Sequence, residues 1–363
     1  MNGSDSPMIA IVGATGAVGR ELLAILADRN HPAERLKLLA SARSAGSTLV
    51  YEGTSLLVKE LKASSFAGIK IAMFAAGSEV SRNFASIATI AGSTVIDNSS
   101  VFRMDEGVPL VVPEINITAL DDCSHPTIIA NPNCSTIIAL MAVAPLHRVA
   151  GIRRMVVSTY QAASGGGAAM MEELKRQAFD YVESKPLTKS ITGRQYLFNL
   201  FSHNSAIDES GYNAEEMKLI RETHKILGDD SIAITATCVR VPVLRAHSEA
   251  INLTFERPLS ADEAREILCT APGVKVVDDR KANRFPEPLD ATGGDDVLVG
   301  RIRADISQPP GMGLDLFVCG DQLRKGAALN AIQIAEQLIA QNTHTFSRDR
   351  QGARLPLASA HDR

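Results

Sequence analysis

Cys134 stands in the stretch ANPNCSTIIAL, directly after Asn-Pro-Asn and directly before an apolar run. That pattern predicts a helix whose first turn carries the cysteine and whose cap is Asn133. A thiol at a helix start meets backbone N–H groups and the positive end of the helix dipole, and both favour the thiolate. The same N–H groups suit an oxyanion formed on a carbonyl that the sulfur attacks. Acyl transfer through sulfur also needs a proton donor and acceptor working near neutral pH. Among eight histidines, His247 is the candidate, because VRVPVLRAHSE sets it just beyond an apolar strand together with Arg240 and Arg245. Gln161, in STYQAASGGG, ends another apolar strand and is placed to hydrogen-bond a substrate or orient the base. Cys123, Cys238, Cys269 and Cys319 have no comparable setting and read as small buried apolar residues.

The elements that must position these residues fall into two kinds. From residue 8 to residue 130, short apolar runs such as MIAIVG, RLKLLAS, KIAMFAAG, STVIDNSS and TIIANP alternate with amphipathic stretches. Strand and helix in alternation predict a parallel sheet with helices on both faces. A helix is expected from about Ser135 to Val149. Beyond it, RRMVVSTYQAAS, SIAITATCVRVPVL, EAINLTFER, DVLVGRIRADI and GLDLFVCGD read as the longer strands of a mixed, largely antiparallel sheet. Helices are expected over MMEELKRQAF, after Gly165-Gly166-Gly167, over NAEEMKLIRETHKILG with Gly228 as its stop, and over KGAALNAIQIAEQLIAQ. The fold class is therefore α/β: a Rossmann-type dinucleotide-binding domain followed by an α+β catalytic domain. The boundary near Asn133 puts the cysteine in a cleft between them. The segment from about Asn342 to Arg363 shows no period and is expected to be mobile.

Gly13-Ala14-Thr15-Gly16-Ala17-Val18-Gly19 follows the strand IAIV and opens a helix, the setting in which a pyrophosphate meets helix N–H groups. Gly13, Thr15, Gly16, Ala17 and Val18 are candidate cofactor contacts. The end of the second strand reads Leu39-Ala40-Ser41-Ala42-Arg43-Ser44-Ala45-Gly46, without the carboxylate that would hold ribose hydroxyls. Ser41, Arg43 and Ser44 suit a 2′-phosphate and point to NADP, against the alternative of an ordinary solvated loop.

The bulk properties agree with small-molecule chemistry. A chain of 363 residues accommodates two domains, and 45% apolar with 21% charged residues is ordinary for a soluble protein. A formal charge of -4 provides no basic field for nucleic acid. Five scattered cysteines with no Cys-x-x-Cys pair indicate neither disulfides nor a metal site and suit the reducing cytoplasm. No apolar run reaches a membrane span of about 20 residues, so no membrane association is expected.

Taken in order, the glycine turn, SARS at 41–44, NPNCST, YQAASGGG and RVPVLRAH resemble the aspartate-semialdehyde dehydrogenase family from about Ile9 to Ala340. The resemblance implies reversible NADPH-dependent reduction of L-4-aspartyl phosphate to L-aspartate 4-semialdehyde, with release of phosphate, in lysine, threonine and methionine biosynthesis. It further implies a homodimer or a dimer of dimers. It puts the nucleophile on Cys134, the acid/base on His247, the orienting glutamine on Gln161 and the substrate-carboxylate arginine on Arg240. It puts the phosphate site on Arg103 and Asn133, and the EEMK pair on Glu215 and Lys218. It sets Ser164, Gly165 and Asn330 near the cofactor, Asn330 on a last helix that returns to the first domain. The implied domains are 1–132 with 325–342 for NADP, 133–324 for catalysis and dimerisation, and 343–363 as a tail.

The charges match that substrate: Arg240 for its α-carboxylate, Glu215 for its ammonium, and Arg103 with Lys218 for its phosphate. N-acetyl-glutamyl-phosphate reductase is the nearest alternative, but its acylated nitrogen would leave Glu215 without an ammonium. A cofactor-free cysteine hydrolase built on Cys134, His247 and Gln161 is another, and an inactive paralogue a third; NADPH binding separates the hydrolase.

Overall fold

The structure, a computed structural model, describes residues 6–121, 123 and 126–352, with side chains described as far as residue 341. The first sheet is built from β1 (Ile9–Val12), β2 (Leu36–Ala40), β3 (Thr48–Tyr51), β4 (Thr54–Glu60), β5 (Ile71–Phe74), β6 (Thr94–Asp97) and β7 (Ile128–Ala130). Its helices are α1 (Ala17–Asp28), α2 (Ser78–Ile90) and the short α3 (Pro113–Asn116). Strand order is β3-β4-β2-β1-β5-β6-β7, parallel except for the β3–β4 hairpin. Every residue of IAIV, IAMF and TVID is buried, as strands covered on both faces must be. Ile9 and Ile11 pack on Leu22 and Ile25 of α1, while Ala10 and Val12 face Ala85 and Ala88 of α2.

The hairpin is absent from the elements expected from sequence. Its loop is Glu52-Gly53, with φ of 46° and 79°. Such a turn is ordinarily announced by Asn-Gly or Asp-Gly, and a glutamate in first place hides it.

The second sheet follows α4 (Cys134–Ala150). It comprises β8 (Ile152–Gln161), β9 (Phe201–Ser202), β10 (Ala233–Arg240), β11 (His247–Phe255), β12 (Val274–Val276), β13 (Val297–Ala304) and β14 (Gly313–Gly320). The helices α5 (Ala168–Val182), α6 (Ala214–Leu227), α7 (Ala261–Thr270) and α8 (Pro288–Ala291) connect them. In the order β12-β13-β14-β11-β8-β10-β9, only β8–β10 and β12–β13 are parallel. The sheet is thus mixed and largely antiparallel. Ile137, Ile138, Leu140 and Met141 of α4 share a core with Val157, Ile251, Leu253 and Phe255 of this sheet and with Leu110, Val112 and Ala130 of the first domain. That shared core fixes where the start of α4 lies.

A π-turn over Arg324–Ala328 leads into α9 (Leu329–Gly352). Leu329, Ile332, Ile334, Ala335 and Leu338 belong to the same core as Ile9 and Leu22, so the last helix packs back on the first sheet. Its backbone continues to Gly352, so the first part of the segment expected as a mobile tail is helical. NTHTFSRDRQ contains neither proline nor glycine to stop the helix. Residues 353–363 lie outside the described residues. Among the described residues no helix is long and apolar enough to cross a membrane.

Ile332 is fully buried between the returning helix and the sheet. Replacement Ile332→Ala is expected to lower the unfolding free energy in urea by about 2–5 kcal/mol, whereas Leu289→Ala, at an exposed site, should stay within about 0.5 kcal/mol of the parent.

Candidate active site

The start of α4 is held by Asn133. Its Oδ1 accepts from the Ser135 N–H (3.0 Å) and the Thr136 N–H (3.4 Å). Its own N–H donates to Glu222 Oε2 (2.6 Å), and its Nδ2 donates to Glu215 Oε1 (2.9 Å). The amides expected to bathe the sulfur are therefore committed to the cap, which leaves the Cys134 N–H as the uncapped donor at the helix start. Burial first, and the Glu215 charge next, push the Cys134 thiol up to about 12, against the Arg240 and Arg103 charges. These surroundings favour the thiol over the thiolate.

The opposite wall comes from β10, β11 and the turn after β8. The Ala162 N–H donates to His247 Nδ1 (3.0 Å), so the neutral ring carries its proton on Nε2. Nε2 is buried with no partner among the described residues. Burial, then the Arg240 charge, lowers the pKa of His247 to about 3, so the ring enters as a neutral N–H donor rather than a ready base. Arg240 donates from Nη1 to the Ala162 carbonyl (3.1 Å) and from Nη2 to His203 Nε2 (2.8 Å), and its Nε is buried and unpartnered. A Cβ on Gly165 would lie 2.8 Å from Arg240 Nη1 and 2.9 Å from His247 Nε2, so a glycine there lets both side chains approach.

His203, to which the sequence assigns no role, orients Arg240. Burial keeps it neutral, with its pKa lowered to about 4. Spacing offers no signal for it; the pairing of Phe201 with Arg240 across β9 and β10 brings it in.

Gln161 donates from Nε2 to Glu215 Oε1 (3.1 Å), and its Oε1 accepts from Thr159 Oγ1 (3.1 Å). Burial alone would raise the pKa of Glu215, but Lys218 at 3.0 Å and the Asn133 amide hold it below the usual carboxylate range. Arg103 reaches the site already engaged: Nε donates to the Asn131 carbonyl, Nη1 to Glu222 Oε1 and Nη2 to the Asn98 carbonyl, each at 2.9 Å. Two of its five N–H donors remain for a ligand. Glu222, a partner that sequence spacing does not mark, balances its charge. Arg103, Lys218 and Arg221 line one cavity of about 350 Å³.

The dinucleotide turn fits its expected ligand. Gly13 has φ of 89°, and a Cβ there would sit 2.6 Å from the Ala75 carbonyl oxygen. Gly16 precedes α1 with no side-chain cap, and the first turn holds no acidic residue. The N–H groups of Ala17 and Val18, beside half-buried Thr15, are therefore free for a pyrophosphate. Ser41 and Arg43 are exposed and Ser44 half-buried in a turn closed by the Ser44 N–H on the Ser41 carbonyl (2.9 Å). Ser164 is buried with its hydroxyl unpartnered among the described residues.

Asn330 departs from expectation. Its Nδ2 donates to the Val111 carbonyl (2.9 Å) and Asn131 Oδ1 (2.7 Å), and its Oδ1 accepts from Lys325 (2.9 Å). Fully buried and saturated, it braces the π-turn instead of facing a nicotinamide. Gln322 is the residue at that turn which meets the site. Its Oε1 accepts from the Ala246 N–H (3.0 Å) and its Nε2 is buried and unpartnered. A Cβ on Gly326 would lie 3.0 Å from Cys134 Cβ and 3.2 Å from Gln322 Cβ. Of the other cysteines, Cys238 and Cys319 are buried as expected, but Cys269 is exposed and Cys123 half-buried.

Residues 8–123 match the family profile described as semialdehyde dehydrogenase, NAD binding domain, and residues 143–325 the one described as semialdehyde dehydrogenase, dimerisation domain. An aspartate-semialdehyde dehydrogenase of Synechocystis sp. is 55% identical over 331 residues, 91% of this chain and 97% of that protein. The chain belongs to the aspartate-semialdehyde dehydrogenase family. An aspartate-semialdehyde dehydrogenase of Aquifex aeolicus is 48% identical over 92% of this chain and 98% of its own length. The solved aspartate semialdehyde dehydrogenase II of Vibrio cholerae, described as complexed with ASA, is similar with a TM-score of 0.88 and 42% identity, over 93% of this chain and 99% of that one. As a member of the aspartate-semialdehyde dehydrogenase family, the chain is an oxidoreductase with a nicotinamide-dinucleotide domain and a dimerisation domain.

Gly165→Ala is expected to push Arg240 and His247 apart. Steady-state kinetics should show kcat/KM reduced about 100-fold, with a lower thermal midpoint as well, because the added Cβ crowds two buried side chains.

Proposed function

We propose that this chain catalyses the reversible, NADPH-dependent reduction of L-4-aspartyl phosphate to L-aspartate 4-semialdehyde with release of phosphate, through a thioester on Cys134. The role is in lysine, threonine and methionine biosynthesis, in the cytoplasm, as a homodimer or dimer of dimers. One observation supports it above the rest: Cys134 starts its helix in the field of Glu215, Arg240 and Arg103, with Glu215 paired to Lys218 and Glu222 to Arg103, while Arg240 and His247 both pack on Gly165.

Arg240 offers its free Nε to the substrate carboxylate, Glu215 adds the substrate ammonium to its Lys218 pair, and Arg103, Lys218 and Asn133 take the phosphate. The Cys134 sulfur bonds the acyl carbon as the bond to phosphate breaks, and the thiol proton ends on the departing phosphate. Direct proton transfer to His247 is disfavoured, because Nε2 already bears a proton and burial opposes the imidazolium. The His247 Nε2–H and the Cys134 N–H donate to the oxyanion at each tetrahedral stage. Gly13, Thr15, Gly16, Ala17 and Val18 hold the pyrophosphate, Ser41, Arg43 and Ser44 the 2′-phosphate, and Ser164 and Gly165 the nicotinamide end. A nicotinamide held there would supply the hydride that the Cys134 thioester accepts. On collapse to aldehyde the C–S bond breaks with its electron pair going to sulfur, and Cys134 takes a proton from solvent to become a thiol again.

The test is phosphate-dependent reduction of NADP by the purified protein with aspartate semialdehyde. Activity with NADP that exceeds activity with NAD, and its loss by at least about 10³-fold in Cys134→Ser, is the expected result. No activity in the parent, or parental rates in the serine variant, overturns the assignment.

A further inference from the structure

Glu249 lies two residues beyond His247 on β11, on the strand face whose next members, Ile251, Leu253 and Phe255, pack beneath α4. It is fully buried, and neither carboxyl oxygen has a hydrogen-bond partner among the described residues. Across the sheet it is flanked by Thr159 of β8 and Val318 of β14. The titratable groups that share its field are Cys134 on α4, Glu215 on α6, Cys238 on β10 and Cys319 on β14, with neutral His247 on its own strand. None of these is a cation. An ionised carboxylate in such a place costs several kcal/mol of desolvation with nothing to offset it, so the group keeps its proton.

Building on the thioester reading above, we propose that Glu249 works as a neutral carboxylic acid, a positioning residue in the floor of the site that keeps negative charge away from Cys134 while the sulfur passes through its anionic stages. Burial, with the Glu215 charge adding to it, pushes the Glu249 pKa well above the carboxylate range. A charge on Glu249 is one of the influences that raise the Cys134 thiol. Loss of the Glu249 proton at alkaline pH therefore opposes sulfur chemistry and contributes to an upper pH limit.

The first test is independent of the reaction. An infrared difference spectrum of the full-length protein at neutral pH, parent minus Glu249→Gln, should contain the carbonyl band of a protonated carboxyl group that shifts in deuterated water. Carboxylate bands in its place overturn the proposal. Should the variant fail to fold, parent protein carrying carbon-13 in its glutamate carboxyls must show the same protonated band, and its absence is equally decisive. The second test is the pH profile of kcat/KM and of Cys134 alkylation by iodoacetamide. Glu249→Gln should move the alkaline limb of kcat/KM to higher pH and speed alkylation above the limb of the parent. A residue of structural importance alone would leave both limbs in place, and that result contradicts the proposal.

Discussion

Asn133 ties the start of α4 to α6. Its oxygen caps α4, its side-chain amide joins Glu215, and its backbone N–H joins Glu222. Through Glu222 the same node reaches Arg103, which is anchored on the Asn98 and Asn131 carbonyls of the first domain. A buried donor or acceptor stripped of its partner costs about 1–3 kcal/mol, so none of these contacts shifts alone. The position of Cys134 follows from that constraint together with the apolar packing of α4 between the two sheets.

Apart from Arg240, which has no carboxylate partner, the charges around the sulfur are paired before any ligand arrives, and the two histidines beside Arg240 are neutral. The surroundings of Cys134 favour the thiol, His247 and His203 are uncharged, and Glu215 and Glu222 carry Lys218 and Arg103. Developing negative charge on a substrate oxygen thus meets oriented N–H dipoles in a water-poor space, where such dipoles act strongly and need no reorganisation. The polar atoms that remain unpaired, His247 Nε2, Arg240 Nε and Gln322 Nε2, are buried groups without a protein partner, the kind of deficit that a bound ligand relieves.

Features with a local cause could be read from the chain. The parallel sheet follows from uninterrupted apolar strands, the start of α4 from Asn133 and the apolar run after it, and the stop of α6 from Gly228, which is left-handed at φ of 65°. Cys134, Gln161, Arg240 and His247 stand at element ends, where spacing exposes them. Features set by tertiary pairing could not be read in this way. His203 reaches Arg240 through a two-residue strand, Glu222 meets Arg103 across 119 residues, and Gln322 stands just before a π-turn whose Gly326 lies against both it and Cys134. The cap that occupies the helix amides, and the burial that protonates the thiol, depend on surroundings that no window of sequence contains. Asn330 illustrates the converse error: a polar residue on the last helix resembles a ligand contact until its partners Val111, Asn131 and Lys325 are seen.

The central claim is that Cys134 carries the acyl group. Mixing the protein with aspartate semialdehyde and NADP in phosphate-free buffer should strand the thioester, since its acceptor is missing. Acid quenching followed by peptide mass spectrometry should then find an aspartyl adduct on the peptide containing Cys134, which disappears when phosphate is added. No adduct, or an adduct on another residue, would contradict the account.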